Sequence, residues 1–176
     1  MYIVTGCAGF IGFHMCELLL SKGIKVIGID NLNKYYSKEL KLKRLSALNK
    51  KKFFKFFNID LSKNKIEKIL LNKKNLKIIH FAAQPGVIYS YENPKSYYEN
   101  NILATNKLIE SVKKMKIAQF IFISSSSVYG DQKKYPIKED AKLKSINYYA
   151  ETKIQCEKKI RKHFKGCSHS TKILRQ

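Results

Sequence analysis

The sequence predicts an α/β fold, a doubly wound parallel sheet. Short apolar runs alternate with stretches of helical periodicity from end to end, and a glycine-rich turn joins the first apolar run directly to a helical stretch. Short apolar strands separated by helices are typical of a parallel sheet covered on both faces. The 176 residues fit one domain, and 44% hydrophobic residues can build its core, which excludes a disordered or collagen-like chain.

Six strands are predicted, at residues 2–5, 25–30, 53–58, 77–81 and 119–124, with a last one beginning near Thr171. Helices are predicted at residues 10–22, 38–48, 62–71, 94–115 and 147–164. In such a fold the ligand binds outside the carboxyl ends of the strands, where the strand order reverses. Functional residues are therefore expected just after each strand.

The charge is strongly positive, with 35 Lys and Arg against 13 Asp and Glu, a formal net charge of +22. All but three of the basic residues are lysine. Proteins that recognise nucleic-acid bases and phosphates favour the planar guanidinium of arginine instead. The 15 basic residues between positions 34 and 77 are interpreted as a solvated surface, with a contact zone for a polyanion as the alternative. No nucleic-acid partner is predicted.

No apolar run approaches the ~20 residues that span a bilayer, and the first residues pass straight into a strand without a signal-peptide pattern. A cytoplasmic location without membrane contact is therefore expected. The cysteines form no C-x-x-C pair and are interpreted as reduced thiols, at Cys7, Cys16, Cys156 and Cys167. A zinc site is the weaker alternative for a group whose spacing matches no standard finger, Cys156, His163, Cys167 and His169. No metal is predicted.

The turn after the first strand has the pattern of a dinucleotide-binding loop. Gly6 allows a tight turn, Gly9 lets backbone N–H groups approach a pyrophosphate at the helix terminus, and Gly12 permits close packing of helix on strand. Asp30 follows at the end of the second strand, where a carboxylate accepts hydrogen bonds from both adenosine ribose hydroxyls and repels a 2′-phosphate. The predicted cofactor is NAD rather than NADP.

A serine, a tyrosine and a lysine form the candidate catalytic group. Four serines, residues 124–127, follow the fifth strand, and Tyr149 and Lys153 stand four residues apart at the start of the next helix. Residues i and i+4 share one helix face, so the Lys153 ammonium is expected near the Tyr149 hydroxyl. A free tyrosine has a pKa of about 10. Lys153 and an oxidised nicotinamide are expected to lower the pKa of Tyr149, which would then act as a base.

Together these motifs resemble the extended short-chain dehydrogenase/reductase family, and within it the NAD-dependent nucleotide-sugar epimerases and dehydratases. The segments that carry the resemblance occur in the family's order, at residues 6–12, 30–36, 80–87, 92–94, 124–130 and 149–153. Those at 31–36 and 82–87 resemble UDP-glucuronate 4-epimerases in particular. The resemblance covers the entire chain and implies an NAD-binding Rossmann domain at residues 1–176.

The resemblance also implies roles for individual residues. Ser125 takes the catalytic hydroxyl role beside Tyr149 and Lys153, and Ser127 and Gln84 contact the substrate. The cofactor contacts that it adds are Phe10, Ile11, Asn31, Asp60, Leu61, Phe81, Ala82, Ala83, Gln84 and Asn100, together with Tyr149 and Lys153. The implied reaction is removal of the sugar 4-hydroxyl proton by Tyr149 with hydride transfer from C4 to NAD⁺, followed by hydride return to the other face of a 4-keto intermediate.

Two departures from the family qualify the implied function, conversion of UDP-glucuronate to UDP-galacturonate. Ile88 stands where the glucuronate epimerases usually carry arginine. Members of the family usually run past 300 residues, so the carboxyl-terminal substrate domain is expected to be missing. NAD binding with little turnover is predicted for this chain alone, with an inactive NAD-binding remnant and a related epimerase or dehydratase as alternatives. A homodimer through the helices at 94–115 and 147–164 is also implied.

Overall fold

The computed structural model describes residues 1–71, 73–165 and 170–176 and contains a six-stranded sheet in the order β3-β2-β1-β4-β5-β6. Every neighbouring pair is parallel. The strands are β1 (Tyr2–Thr5), β2 (Val26–Asp30), β3 (Phe54–Asn58), β4 (Leu76–His80), β5 (Ile117–Ser124) and β6 (Ser170–Arg175). The predicted fold class is confirmed, and the strand order reverses between β1 and β4, which is where this architecture binds its ligand.

The described helical segments are α1 (Phe10–Ser21), α2 (Lys38–Asn49), α3 (Glu67–Leu70), α4 (Tyr89–Glu92), α5 (Pro94–Tyr97), a π-helix (Tyr98–Leu103), α6 (Ala104–Val112), a 3₁₀ turn (Ser126–Tyr129) and α7 (Tyr148–Phe164). The predicted helix at 94–115 is thus interrupted by the π-helix, a feature found frequently at functional sites. The predicted helix at 62–71 is wrong over its first half. The Asp60 carboxylate accepts hydrogen bonds from Ser62 N and Oγ and holds that stretch in turns.

The sheet is covered on both faces, as its sequence of alternating apolar side chains requires. Ile3 belongs to the apolar cluster that includes Leu108 and Phe120, whereas its neighbour Val4 belongs to the cluster that includes Leu19 and Leu48. Burying both faces makes the sheet a rigid platform, so the loops at its carboxyl edge are held in fixed positions.

In the described part of the chain, no helix has both the length and the apolar character needed to cross a membrane. Cys7, Cys16 and Cys156 are buried free thiols. Two members of the alternative zinc group, Cys167 and His169, lie outside the described residues. Within the described ranges, no group of three or more His, Cys, Asp or Glu side chains could hold a metal ion.

Candidate functional site

A cleft of about 550 Å³ runs along the carboxyl edge of the sheet, across the point where the strand order reverses. It brings together residues that the sequence analysis selected from seven separate segments. Those lining the cleft are Gly6, Gly9, Phe10, Ile11, Gly12, Asp30, Asn31, Asp60, Leu61, Phe81, Ala82, Ala83, Asn100, Ser125, Tyr149 and Lys153. Ser127 and Gln84 are not among the lining residues.

The glycine turn occupies the middle of the cleft, between β1 and α1. Gly6 has a φ of +71°, and a Cβ there would lie 2.8 Å from the backbone nitrogen of Ala82. A Cβ on Gly12 would lie 2.1 Å from the carbonyl oxygen of Gly6, so both positions require glycine. Gly9 is the N-cap of α1 and supplies no side-chain cap. The first N–H groups of α1 therefore face the cleft, as a pyrophosphate site requires.

Asp30 lies at the end of β2 and is almost completely buried. Its Oδ1 accepts a hydrogen bond from Leu32 N at 2.8 Å, and its Oδ2 accepts one from Ala8 N at 3.1 Å. These two bonds fix the carboxylate between the glycine turn and the loop after β2. Each carboxylate oxygen can accept a further hydrogen bond, so the group can still accept hydrogen bonds from the two hydroxyls of a ribose.

Sequence reasoning missed two cations at this end of the cleft, Lys41 and Arg44 on α2. Lys41 is only 4% exposed and donates hydrogen bonds from Nζ to the backbone and side-chain oxygens of Asn33, at 3.0 and 2.8 Å. Burial lowers the pKa of Lys41, and the nearby Asp30 carboxylate opposes that change. Arg44 donates to Ala8 O and to the Tyr36 hydroxyl, at 3.2 and 3.0 Å. Both side chains line the cleft.

The strand end after β4 is held from behind by a buried histidine. The ring of His80 makes hydrogen bonds with the hydroxyls of Thr5, at 2.6 Å, and Thr105, at 2.9 Å. Burial lowers the pKa of His80 to about 3, so the ring is neutral at physiological pH. The Thr5 hydroxyl in turn accepts from Ala82 N at 3.2 Å. This chain of contacts fixes the backbone along which the cleft runs.

Gln84, which is predicted to contact the cofactor and the substrate, is buried and is not among the residues that line the cleft. Its side chain is 2% exposed and packs against Ser96, with the Ser96 hydroxyl 3.5 Å from Oε1. The cause is Asn101, whose Oδ1 accepts from Gln84 N at 2.6 Å and whose Nδ2 donates to Gln84 O and to Thr152 Oγ1. Asn100 lines the cleft, and the buried Asn101 beside it is a structural residue that sequence reasoning missed.

The serine run contributes Ser124 and Ser125 to the lining of the cleft, and Ser127 is not among the lining residues. Ser125 is the N-cap of the 3₁₀ turn, where its Oγ accepts from Ser127 N at 3.2 Å and from the Ser127 hydroxyl at 2.8 Å. Ser127 thus donates two hydrogen bonds to the Ser125 hydroxyl oxygen, and its contact with the substrate stays a prediction.

Tyr149 and Lys153 lie on one face of the first turns of α7, as their spacing predicts. The Lys153 Nζ lies 5.9 Å from the centre of the Tyr149 ring and donates to the carbonyl oxygen of Ile123 at 2.9 Å. Burial lowers the pKa of Lys153 to about 8. Burial raises the pKa of Tyr149, and a hydrogen bond with Ser125 opposes that rise. The protein groups alone therefore do not give Tyr149 the lowered pKa that the sequence analysis expected.

The chain is similar to known proteins along most of its length. Residues 3–171 match the family model described as GDP-mannose 4,6 dehydratase. A UDP-glucuronate 4-epimerase from Thermodesulfobacterium geofontis is 40% identical over 154 residues, which cover 86% of this chain and 47% of the relative.

Solved structures agree in fold along nearly the whole chain. UDP-glucuronic acid 4-epimerase from Bacillus cereus, in complex with UDP-glucuronic acid and NAD, is 34% identical with a TM-score of 0.91, over 99% of this chain and 55% of that one. UDP-N-acetylglucosamine 4-epimerase from Methanobrevibacter ruminantium, in complex with UDP-N-acetylmuramic acid, is 33% identical with a TM-score of 0.86, over 99% and 53%.

The chain therefore spans about half the length of the proteins that it matches. The resemblance found in its motifs is confirmed by the family model over most of the sequence and by the two UDP-glucuronate 4-epimerases described above. On this evidence the chain belongs to the family that the GDP-mannose 4,6 dehydratase model describes, the nucleotide-sugar epimerases and dehydratases.

Proposed function

We propose that this chain is the NAD-binding and catalytic portion of a nucleotide-sugar 4-epimerase that acts on UDP-glucuronate. The observation that carries the proposal is the single cleft that joins Asp30 and the amino terminus of α1 to Ser125, Tyr149 and Lys153. A dinucleotide laid along this cleft would reach from the carboxylate at one end to the candidate base at the other.

The residues at the adenosine end fit NAD. The Asp30 carboxylate would accept hydrogen bonds from the ribose hydroxyls, and the first N–H groups of α1 would bind the pyrophosphate. The glycines of the turn leave the space that a Cβ would fill, and Phe81, Ala82 and Ala83 present the strand end beside it. When bound, NAD supplies reversible hydride exchange with C4 of the sugar.

Two side chains of this protein remove the hydroxyl proton and orient the sugar. Tyr149 takes the proton of the sugar 4-hydroxyl, and the Ser125 hydroxyl, held by Ser127, fixes the sugar oxygen in line with it. Burial raises the pKa of Tyr149 and so opposes its ionisation. Each unit of increase in a pKa corresponds to about 1.4 kcal/mol of free energy against the ionised form. The Lys153 ammonium supplies the nearby positive charge that favours the phenolate.

Support for UDP-glucuronate comes from similarity to the T. geofontis and B. cereus enzymes. Ile88, where an arginine is usual in the resembling enzymes, is 78% exposed and does not line the cleft. We infer that residues outside this chain contribute to binding of the uridine diphosphate, because the relatives are about twice as long. Turnover by the 176 residues alone is therefore expected to be slow, since remote binding energy helps to position the reacting carbon.

The test measures binding and turnover separately. Calorimetric titration of the purified chain with NAD should show binding, with NADP binding more weakly. Incubation with NAD and UDP-glucuronate, followed by chromatographic separation of UDP-galacturonate, measures epimerisation, and UDP-glucose serves as the comparison substrate. Tyr149→Phe is the matched control, because it removes the hydroxyl and keeps the ring. Absence of NAD binding to folded protein would refute the proposal.

The second candidate is an NAD-binding module without epimerase activity, which the half-length match favours. Binding of NAD with no conversion of any UDP-sugar, unchanged by Tyr149→Phe, would favour this module. Formation of a homodimer through α5 to α7 and a cytoplasmic location both stay predictions, and light scattering of the purified chain tests the first.

A further inference from the structure

Glu157 on α7 is a buried carboxylate for which the reaction outlined above has no role. It is 1% exposed, and both of its oxygens make contacts inside the protein. Its Oε1 accepts from the Ser124 hydroxyl at 2.6 Å and from Arg175 Nε at 3.0 Å, and its Oε2 accepts from Arg175 Nη2 at 2.7 Å. The arrangement of Arg175 against Glu157 is bidentate, the strongest form of such a pair.

The contacts of Glu157 join three elements at the catalytic end of the cleft. Ser124 is the last residue of β5 and directly precedes Ser125, and Arg175 closes β6. Arg175 also donates to the Tyr129 hydroxyl and to the carbonyl oxygen of Glu139, both at 2.8 Å. The carboxylate therefore fixes the strand end that carries Ser125.

Glu157 also stands one helical turn after Lys153 on the same helix, so the two side chains share a face. We propose that Glu157 is a positioning residue for the catalytic group: it fixes the strand end that carries Ser125 and supplies the negative charge that keeps the buried Lys153 protonated. This inference rests on the proposed roles of Ser125 and Lys153.

The charges around Lys153 indicate why such a residue is needed. His80 on β4 is neutral and offers no negative charge, and Tyr149 and Cys156 on α7 have pKa values raised by burial, so they are neutral as well. Burial has the largest effect and lowers the pKa of Lys153, while Cys156 and then the Glu157 carboxylate raise it. Because burial raises the pKa of the Cys156 thiol itself, Glu157 is the one of these two that carries a negative charge at neutral pH. Arg175 on β6, and at 4.0 Å Arg161 on α7, pair with that carboxylate and reduce its influence.

Two variants break the same ion pair and separate positioning from a merely structural role. Glu157→Gln removes the negative charge and keeps an acceptor for Ser124, so the pKa of Lys153 should fall by about one pH unit. Arg175→Gln leaves the negative charge paired with the more distant Arg161 guanidinium, 4.0 Å from Oε2, so the pKa of Lys153 should rise. The readout is the titration of the Lys153 side chain in ¹³C-lysine NMR spectra, assigned by the signal that Lys153→Met lacks.

Shifts in opposite directions support the proposal. Shifts in the same direction, or no shift in either variant, overturn it, because loss of the ion pair alone would affect both variants alike. If Glu157→Gln does not fold, judged by circular dichroism, the double variant Glu157→Gln/Arg175→Gln carries no unpaired charge. Its Lys153 pKa should lie below that of Arg175→Gln alone, and an equal or higher value also overturns the proposal. The titration needs no NAD or substrate, so failure of the proposed function is measured independently.

Discussion

Two buried lysines stand at opposite ends of the cleft, and they use their charges differently. Lys41 at the adenosine end and Lys153 at the catalytic end are each 4% exposed, and burial lowers the pKa of each. Each also lies near a carboxylate that raises its pKa, Asp30 in the first case and Glu157 in the second. Similar physical components thus occur at both ends.

The difference lies in where the carboxylate is directed. Asp30 lines the cleft and keeps acceptor capacity for a ligand, whereas Glu157 does not line the cleft and is committed to Ser124 and Arg175. At the adenosine end, the carboxylate of Asp30 and the ammonium of Lys41 can therefore both contact a ligand. At the catalytic end, the buried Glu157 carboxylate does not line the cleft and instead raises the pKa of Lys153.

The largest expected effect is at Asp30, because its carboxylate contacts the ligand directly in the proposed complex. Asp30→Ala removes two charge-assisted hydrogen bonds to the ribose, so NAD affinity should fall by several hundred-fold, about 4 kcal/mol. Calorimetric titration with NAD measures the change. Because Asp30 also holds Ala8 N and Leu32 N, Asp30→Asn is the matched variant that keeps an acceptor for the loop.

Tyr149→Phe provides the contrast at the other end of the cleft. Its NAD affinity should stay within about threefold of the original, since one hydroxyl is lost and the adenosine contacts are untouched. If Asp30→Ala binds NAD as tightly as the original protein, the adenosine end has been assigned wrongly, and the comparison between the two ends no longer holds.

The second effect is the pH dependence of stability that Lys153 contributes. Its pKa is about 8 in the folded protein and near 10.5 in the unfolded chain, so the unfolded chain binds more protons between these values. The folded state is therefore penalised below pH 8, and the penalty is relieved as the pH rises toward 10.5. Relative to Lys153→Met, the original protein should gain about 3 kcal/mol of unfolding free energy between pH 7 and pH 10.5.

Urea unfolding at several pH values measures this gain. Taking the difference from Lys153→Met removes the contributions of other groups, such as the buried cysteines and Tyr149. Lys158→Met, which changes an exposed lysine of the same helix, should show no such gain. A constant difference between the original protein and Lys153→Met across this pH range would mean that Lys153 is not buried as a cation.

The parts of the site that sequence predicts are those whose signal is local. Gly6, Gly12 and Asp30 follow strands at fixed spacing, and Tyr149 and Lys153 are four residues apart on a helix, so periodicity alone places them. Lys41 carried no comparable signal, because it is one lysine among many in a chain with 35 basic residues. Only its burial distinguishes it from the surface lysines.

Contacts between distant segments could not be predicted. Glu157 and Arg175 lie on different elements, and nothing in the sequence pairs them. Asn100 and Asn101 are adjacent, and the sequence analysis chose the one that lines the cleft, while Asn101 determines where Gln84 lies. The helix predicted at 62–71 failed for a local reason instead, since a hydrogen bond from the Ser62 backbone to Asp60 competes with helix formation.

The smallest effect is expected at Lys41, and it tests whether the adenosine end recognises its ligand with a cation as well as a carboxylate. Within the described part of the chain its hydrogen-bond acceptors are the two Asn33 oxygens, and a lysine has three N–H donors. Because Lys41 lines the cleft, the third donor can contact a ribose oxygen.

Lys41→Met should weaken NAD binding by about 10-fold, the value of one charge-assisted hydrogen bond. Lys41→Arg keeps the charge and should bind more tightly than Lys41→Met, and calorimetry with 2′-deoxy-NAD should show a smaller loss for Lys41→Met than NAD does. Equal losses for the two ligands would assign Lys41 to holding the Asn33 loop and leave Asp30 as the recognising group.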